Sequence, residues 1–347
     1  MITLSKKIIH NVNHVAHAWW KKPRMMYSSL RYAVLRQMGR TVIRGFDIVV
    51  TYVCNLKCPH CNVTTVHAKD RKELTVDEIV RTVEQLREVG GFYVTFTGGE
   101  ILTRLESLAE IIRRIDAGSM LIGIQSNGLL LTEEVCLKLK ELQVDSVTLS
   151  FDTAHEEDDL DKVMEIKLAQ LKLLRKHGFY VMFVALASHQ TLTDGTCVKI
   201  SKFADCHKVP VFMNFAVPQG RWSEADHVVF TKEDSITVRQ LSDTYNFVYT
   251  DLDTSPVSGR KCPAFSERLH INGYGDVQPC TFYQIGFGNV REESLADIVR
   301  RGQGHFHFNR VNPICIPAED WEYIKRWRER GAKSKRFPVP LKEFWDK

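Results

Sequence analysis

The chain has 347 residues, 44% of them hydrophobic and 26% charged, with a formal net charge of +5; this is the composition of a globular protein with material for one large core or two domains. No run approaches the ~18 consecutive apolar residues that a spanning helix needs. Nine cysteines are spread along the chain without a cleavable signal, which argues against a secreted disulfide framework and for a reducing, cytoplasmic setting.

Residues 1–45 form a basic arm. No acidic residue precedes Asp47, whereas Lys6, Lys7, Lys21, Lys22, Arg24, Arg31, Arg36, Arg40 and Arg44 are all cationic. Ile8, Val12, Val15 and Trp19, and after Pro23 the residues Met26, Leu30, Val34 and Met38, recur at helical steps, so each half reads as an amphipathic helix. Such helices suit an anionic membrane surface or an acidic partner, making the protein cytoplasmic with peripheral membrane contact, or they pack across the open end of the following domain. An acid-free arm also has something of an organelle transit peptide, although serine is sparse. Nothing in the chain points to nucleic acid.

From residue 46 strand-like and helix-like runs alternate. Strands are predicted at 47–53, 92–97, 120–125, 146–151, 179–187 and 210–216, with helices at 75–90, 105–117, 132–143, 159–177 and 192–206 between them. Thr75 with Glu78, and Thr132 before a Glu pair, are N-caps, while Gly90-Gly91 and Gly178 close helices. The alternation predicts parallel β/α units wound right-handed into a six-unit partial barrel over 46–220, with functional groups on the loops after the strand C-termini. A connector follows at 221–255 with a helix near 231–245, then a small α+β module at 256–317. The tail, 318–347, begins with a helix carrying Trp321, Ile324 and Trp327 on one side and continues as an extended, Pro-containing end.

After the first strand comes Cys54-Asn-Leu-Lys-Cys58-Pro-His-Cys61. Three thiolates at this spacing can hold three corners of a cubane iron–sulfur cluster and leave the fourth iron open to a small molecule. Zinc is the bland alternative, with His60 or His67 as a fourth ligand, but the spacing is not a usual finger spacing. After the second strand, Thr97-Gly98-Gly99-Glu100 permits close backbone approach and offers a carboxylate to a ligand ammonium, or is an ordinary turn. Ser126-Asn127-Gly128 and Ser150-Phe151-Asp152 end the third and fourth strands, placing hydroxyl, amide and carboxylate groups at the same mouth, or serving as turn and N-cap.

In this order the motifs resemble those of radical S-adenosylmethionine enzymes. The resemblance implies a (β/α)6 partial TIM barrel and a 4Fe–4S cluster on Cys54, Cys58 and Cys61 whose open iron chelates S-adenosylmethionine. It assigns the amino group of that cofactor to Gly98, Gly99 and Glu100, its ribose or carboxylate to Ser126, Asn127, Ser150 and Asp152, and its adenine to His60. It also implies reductive cleavage to a 5′-deoxyadenosyl radical that abstracts a substrate hydrogen, fed by an electron donor such as flavodoxin or ferredoxin.

The segment from Cys262 to Cys280, with Gly275 four residues ahead of the second cysteine, and the loop Gly286-Phe-Gly-Asn289 resemble the C-terminal auxiliary-cluster module called SPASM, or its shortened twitch form. Only Cys262, Cys280 and Cys315 are left to ligate an auxiliary iron–sulfur cluster, so its fourth iron is open, bound by substrate, or held by a non-cysteine ligand such as His305 or His307. Cys136, Cys197 and Cys206 fall in barrel helices and read as small buried hydrophobes. The substrate reading is a small molecule or lipid-like compound, because the arm is short for a leader-recognition domain. A peptide maturase is the first alternative, and a non-catalytic iron–sulfur or zinc module the second. Arg221 and Trp222 stand ready as a cation and an aromatic wall for the cavity, or Arg221 pairs with a surface acid.

Overall fold

The computed structural model describes residues 13–62, 66–68, 70–151, 159–223, 225, 229–253 and 260–345. All six expected strands form: β1 Gly45–Thr51, β2 Tyr93–Gly98, β3 Leu121–Ser126, β4 Ser146–Ser150, β5 Tyr180–Ala187 and β6 Val211–Phe215. They pair in chain order and in parallel, each with its sequence neighbour, as right-handed crossovers require. The predicted helices lie between them at Val76–Glu88, Leu105–Arg114, Glu133–Glu141, Leu160–Lys176 and Thr196–His207. Their starts obey local chemistry. Thr75 Oγ1 accepts from Glu78 N at 3.3 Å and Glu78 Oε2 from Thr75 N at 2.8 Å, a reciprocal capping box. Gly90 and Gly178 end their helices at φ +90 and +75, where a side chain is strained.

The sheet exceeds six strands. After the expected helix, observed at Lys232–Thr244, β7 Val248–Thr250 adds to β6 in parallel. At the other edge β8 Arg268–Ile271, from the C-terminal module, joins β1 in parallel, and β9 Val277–Gln278 folds back on β8. Nine strands thus form one open, partial TIM barrel in the order β7-β6-β5-β4-β3-β2-β1-β8-β9. The segment read as a connector is therefore partly barrel wall. A three-residue strand of Val-Tyr-Thr is too short for its period to show in sequence.

The period of two along each strand divides outside from inside. On β1, Phe46, Ile48 and Val50 belong to the main core under the helices, while Asp47 and Val49 face the barrel interior. On β2, Val94 and Phe96 point outward and Tyr93, Thr95 and Thr97 inward.

The arm packs across the base of the barrel, the second of the placements its sequence allows. Its helix, Pro23–Gln37, buries Met25, Ser29 and Tyr32; Met25 and Tyr32 form a small core with Ala18 and with Phe92, Tyr93 and Leu121 at the starts of β2 and β3. Lys22, only 2% exposed, bonds to Asp145 Oδ2 at 2.6 Å and to the carbonyls of Met120 and Gln143 at 3.1 and 2.8 Å. The apolar stripe read from the sequence is largely the outer one: Leu30, Val34 and Met38 are exposed, with Tyr27 beside them, and Met26 is half-buried. The apolar steps are right, but that helix carries two apolar faces and only packing selects one. Residues 1–12, with Ile8 and Val12, lie outside the described set.

In the tail, Ile324 and Trp327 are buried but Trp321 is exposed. The extended end pairs as β11, Val339–Pro340, beside β10, Ile285–Gly286. Among the described residues no helix is long and apolar enough to cross a membrane.

Candidate active site

Beyond the C-terminal end of β1 the chain turns through the cysteine string, which neighbouring loops hold at several points. Gly99 N donates to Thr51 O at 2.8 Å and Glu100 N to Val53 O at 2.9 Å. A Cβ on Gly98 would stand 2.5 Å from Thr51 O, and one on Gly99 2.6 Å from Val53 O and 2.9 Å from Cys54 Cβ. The paired glycines are therefore what lets the two loops touch. From the β6 loop, Arg221 donates to the carbonyls of Lys57 and Cys58 at 2.7 and 3.2 Å, instead of pairing with a surface acid. Gly220, at φ +61, leaves no room for a Cβ beside Cys61 O.

Glu100 is 1% exposed and saturated by protein donors. Its Oε1 accepts from Leu102 N at 3.0 Å and Ser126 Oγ at 2.8 Å, and its Oε2 from Asn127 N at 2.8 Å. It binds the second and third strand loops together and is not among the residues facing the cavity, whereas Gly98, Gly99, Ser126, Asn127 and Ser150 are. Asn127 Nδ2 donates to Asn55 Oδ1 at 2.8 Å, joining the third loop to the cysteine string. Lys167 Nζ, on helix Leu160–Lys176, donates to Asn127 O at 2.9 Å and lines the same wall. His60 also lines the cavity, its ring centroid 5.8 Å from that of Trp222. Asp152 lies outside the described residues.

One cavity of about 650 Å³ connects everything. Cys54, Cys58 and Cys61 line it from one side, and Cys262, Cys280 and Cys315 from another. The two sets meet where Asn62 Nδ2 donates to Thr281 O at 3.2 Å. Between them the inward strand residues supply a polar interior that sequence reading missed: Asp47, Thr95, Gln125, Thr148, Asn214 and Arg268. Arg268 Nη2 bonds to Asp47 Oδ1 at 2.5 Å and its guanidinium lies over the Tyr93 ring at 5.1 Å. The base is closed by the arm, since His14 and Val15 line the cavity and His14 stacks on Tyr180 at 4.8 Å. Polar residues inside otherwise apolar strands were the available signal; which strand face is interior was not.

Electrostatics follow burial. Desolvation pushes the thiol of Cys262 up to about 11 and those of Cys280 and Cys315 higher, so the apo thiols hold their protons at neutral pH and ligation must release them. Burial likewise lowers His270 to about 4 and raises Asp251 to about 7. His305 and His307, both lowered to about 4 by burial, do not line the cavity. Tyr283 Oη and His307 Nδ1 are hydrogen-bonded at 2.9 Å, and His305 Nδ1 accepts from His307 N at 3.3 Å. Cys136 and Cys197 are buried as expected, but Cys206 is exposed on the outer side of its helix.

Among the described residues no three ligating side chains converge closely enough to hold a single metal ion. Three thiols on each of two sides of one cavity are the donor set that a cubane takes, one thiolate to each of three separate irons.

Comparison with known proteins agrees. The radical SAM superfamily model matches residues 48–204 and the SPASM iron–sulfur cluster-binding domain model matches residues 262–315. The AdoMet-dependent heme synthase of Methanosarcina barkeri is 25% identical over 281 residues, spanning 72% of this chain and 80% of that protein. A probable GTP 3′,8-cyclase of Methanococcus maripaludis is 25% identical over 295 residues, 75% and 91% of the two chains. In fold, Streptococcus suis SuiB bound to precursor peptide SuiA superposes with a TM-score of 0.56 at 17% identity, over 77% of this chain and 67% of that one. Native anSMEcpe with AdoMet and the Cp18Cys peptide gives 0.55 at 17% identity, over 87% and 93%. The motifs, the barrel and both family matches make this chain an enzyme of the radical SAM superfamily that carries a C-terminal SPASM-type iron–sulfur domain.

Proposed function

We propose that Cys54, Cys58 and Cys61 hold the 4Fe–4S cluster that binds S-adenosylmethionine, and that Cys262, Cys280 and Cys315 hold an auxiliary cluster across the cavity. We assign the space between them to a small-molecule substrate, or the polar head of a lipid-like one, from which a hydrogen atom is abstracted. The observation that carries this reading is that both cysteine sets and the inward polar residues line one cavity. When bound, the cluster and S-adenosylmethionine supply one-electron cleavage of the sulfonium and a 5′-deoxyadenosyl radical; the protein supplies orientation and exclusion of water. Gly98 and Gly99 admit the cofactor close to the backbone, Ser126, Asn127, Ser150 and His60 form its wall, and Glu100 positions two of those loops from behind. Asp152 joins this wall on the family resemblance alone.

A cavity of about 650 Å³ is within the range of small-molecule sites, and the cofactor must share it. What remains suits a compact molecule with hydroxyl or charged groups, which Asp47, Gln125, Asn214 and Arg268 can meet. A peptide residue reaching in from the mouth is the alternative. Anaerobic reconstitution followed by reduction should yield 5′-deoxyadenosine, and none after Cys54, Cys58 and Cys61 are replaced by Ala. Deuterium carried into 5′-deoxyadenosine from labelled polar small molecules supports the substrate reading; transfer only from labelled peptides replaces it with the maturase reading.

The arm's outer face supports a peripheral contact with an anionic membrane. Tyr27, Leu30, Val34 and Met38 are exposed beside exposed Lys21, Arg31 and Arg40, the combination that interfacial helices use. The protein should sediment with phosphatidylglycerol vesicles and the Leu30→Ser/Val34→Ser/Met38→Ser variant should stay in the supernatant; equal behaviour of the two removes this contact.

A further inference from the structure

Three cysteines leave one corner of an auxiliary cubane without a thiolate, and the surroundings of Cys262, Cys280 and Cys315 narrow what can fill it. His307 is hydrogen-bonded to Tyr283 and its N donates to His305, and neither histidine lines the cavity. Of the nearby carboxylates, Glu319 accepts from Cys315 N at 2.7 Å and pairs with Arg239 at 2.7 Å. Asp253 accepts from Ser242 Oγ, Thr250 N and Arg260 Nε at 2.8 to 2.9 Å. Asp320 caps Tyr323 N at 3.1 Å. None of these three lines the cavity.

Asp251 does line it, together with all three cysteines. It opens the turn Asp251–Asp253 that follows β7, and that turn is pinned beside the first cysteine because Lys261 N donates to Leu252 O at 2.9 Å. Cys262 N in turn donates to Asn312 O at 2.8 Å, drawing in the segment that carries Cys315. Burial is the main cause that raises the three thiols, and the Asp251 carboxylate raises each of them further. The carboxylate accepts from the Phe215 backbone, and with four lone-pair sites it can do so and still ligate. Asp47, the other carboxylate lining the cavity among the described residues, is bound to Arg268.

We propose that Asp251 is the fourth ligand of the auxiliary cluster, completing a three-cysteine, one-aspartate set. This rests on the reading that Cys262, Cys280 and Cys315 hold that cluster. A closed cluster leaves no iron for the substrate, so it relays electrons, and substrate is held by the polar side chains of the barrel. The signal lies outside the cysteine motif: the ligand comes from the turn after a short seventh strand that only the fold reveals.

The test uses the full chain with Cys54, Cys58 and Cys61 replaced by Ala, so that only the auxiliary cluster remains, grown with aspartate labelled with ¹³C at its side-chain carboxylate. After anaerobic reconstitution and reduction, about four irons per chain and a ¹³C hyperfine coupling in the electron–nuclear double resonance spectrum are expected. The coupling should vanish in Asp251→Cys, which keeps the cluster, and persist in Asp47→Asn. Should Asp251→Cys not assemble, the coupling in the parent with its persistence in Asp47→Asn still supports the assignment. No coupling in a parent that holds its iron, or coupling that survives Asp251→Cys, overturns the proposal. A parent that binds no iron while Asp251 is intact overturns the cysteine reading beneath it, and the proposal with it. The same labelled spectrum on the protein with both clusters serves if the triple replacement does not fold.

Discussion

Glu100 shows how a motif can be right in place and different in detail. Its sequence position suggested a carboxylate facing a ligand ammonium; in the fold it is buried and accepts three protein hydrogen bonds. Glu100→Gln keeps the shape but sets an NH₂ group against N–H and O–H donors, so it should destabilise the protein by about 1–3 kcal/mol in urea unfolding, and weaken S-adenosylmethionine binding in equilibrium dialysis. An unchanged unfolding midpoint would restore the direct-contact reading. Arg221 makes the complementary case, a residue whose role was undecided in sequence and whose partners prove to be the carbonyls of Lys57 and Cys58. Arg221→Ala should lose about 1 kcal/mol and release iron faster to a chelator, with Arg221→Lys restoring part of the retention.

At the scale of elements, two tethers hold the parts in register. Lys22 and Asp145 are buried, and burial lowers the first and raises the second against their mutual attraction. Lys22→Met strands a buried carboxylate and should cost about 3–5 kcal/mol, with Lys22→Met/Asp145→Leu recovering much of it in thermal or urea unfolding. Glu78, in the cap of helix Val76–Glu88, also receives Arg291 of the C-terminal module at 2.6 Å, and that guanidinium lowers its carboxyl from 4.5 to about 2. A depressed carboxyl contributes stability that is full above the unfolded value and is lost as pH falls through the folded one. The gap in stability between wild type and Arg291→Ala, about 1 kcal/mol for a partly exposed pair, should therefore hold at pH 6 and close between about pH 4.5 and 2. A gap that does not change over that range means the tether acts through packing.

For the whole molecule, the described residues of arm, barrel and C-terminal module line one common cavity. The arm closes its base through His14 and Val15, and β8 brings Arg268 and His270 into its wall by pairing with β1. Deleting residues 1–40 should uncover Phe92, Tyr93 and Leu121, which pack on the arm, at about 1.5–3 kcal/mol for each large apolar side chain re-exposed. The expected readout is a lower melting temperature and new binding of a hydrophobic dye. A truncated chain that melts as the full chain does would show that the arm is not part of the barrel.

Much of this was written in the local sequence. Strand and helix periods, the Thr75 and Thr132 caps, the glycine helix stops and the spacing of Cys54, Cys58 and Cys61 depend on neighbours within a few residues, so they identified the β/α wall, its order and the cluster loop unaided. What the fold decided depends on contacts between distant segments: which face of each strand is interior, which face of the arm helix is buried, that β7 and β8 extend the sheet, and that Asp251 lines the same cavity as Cys262, Cys280 and Cys315. A short strand or a single carboxylate has no period to read, and its neighbours across space are fixed only when the chain closes around a common core.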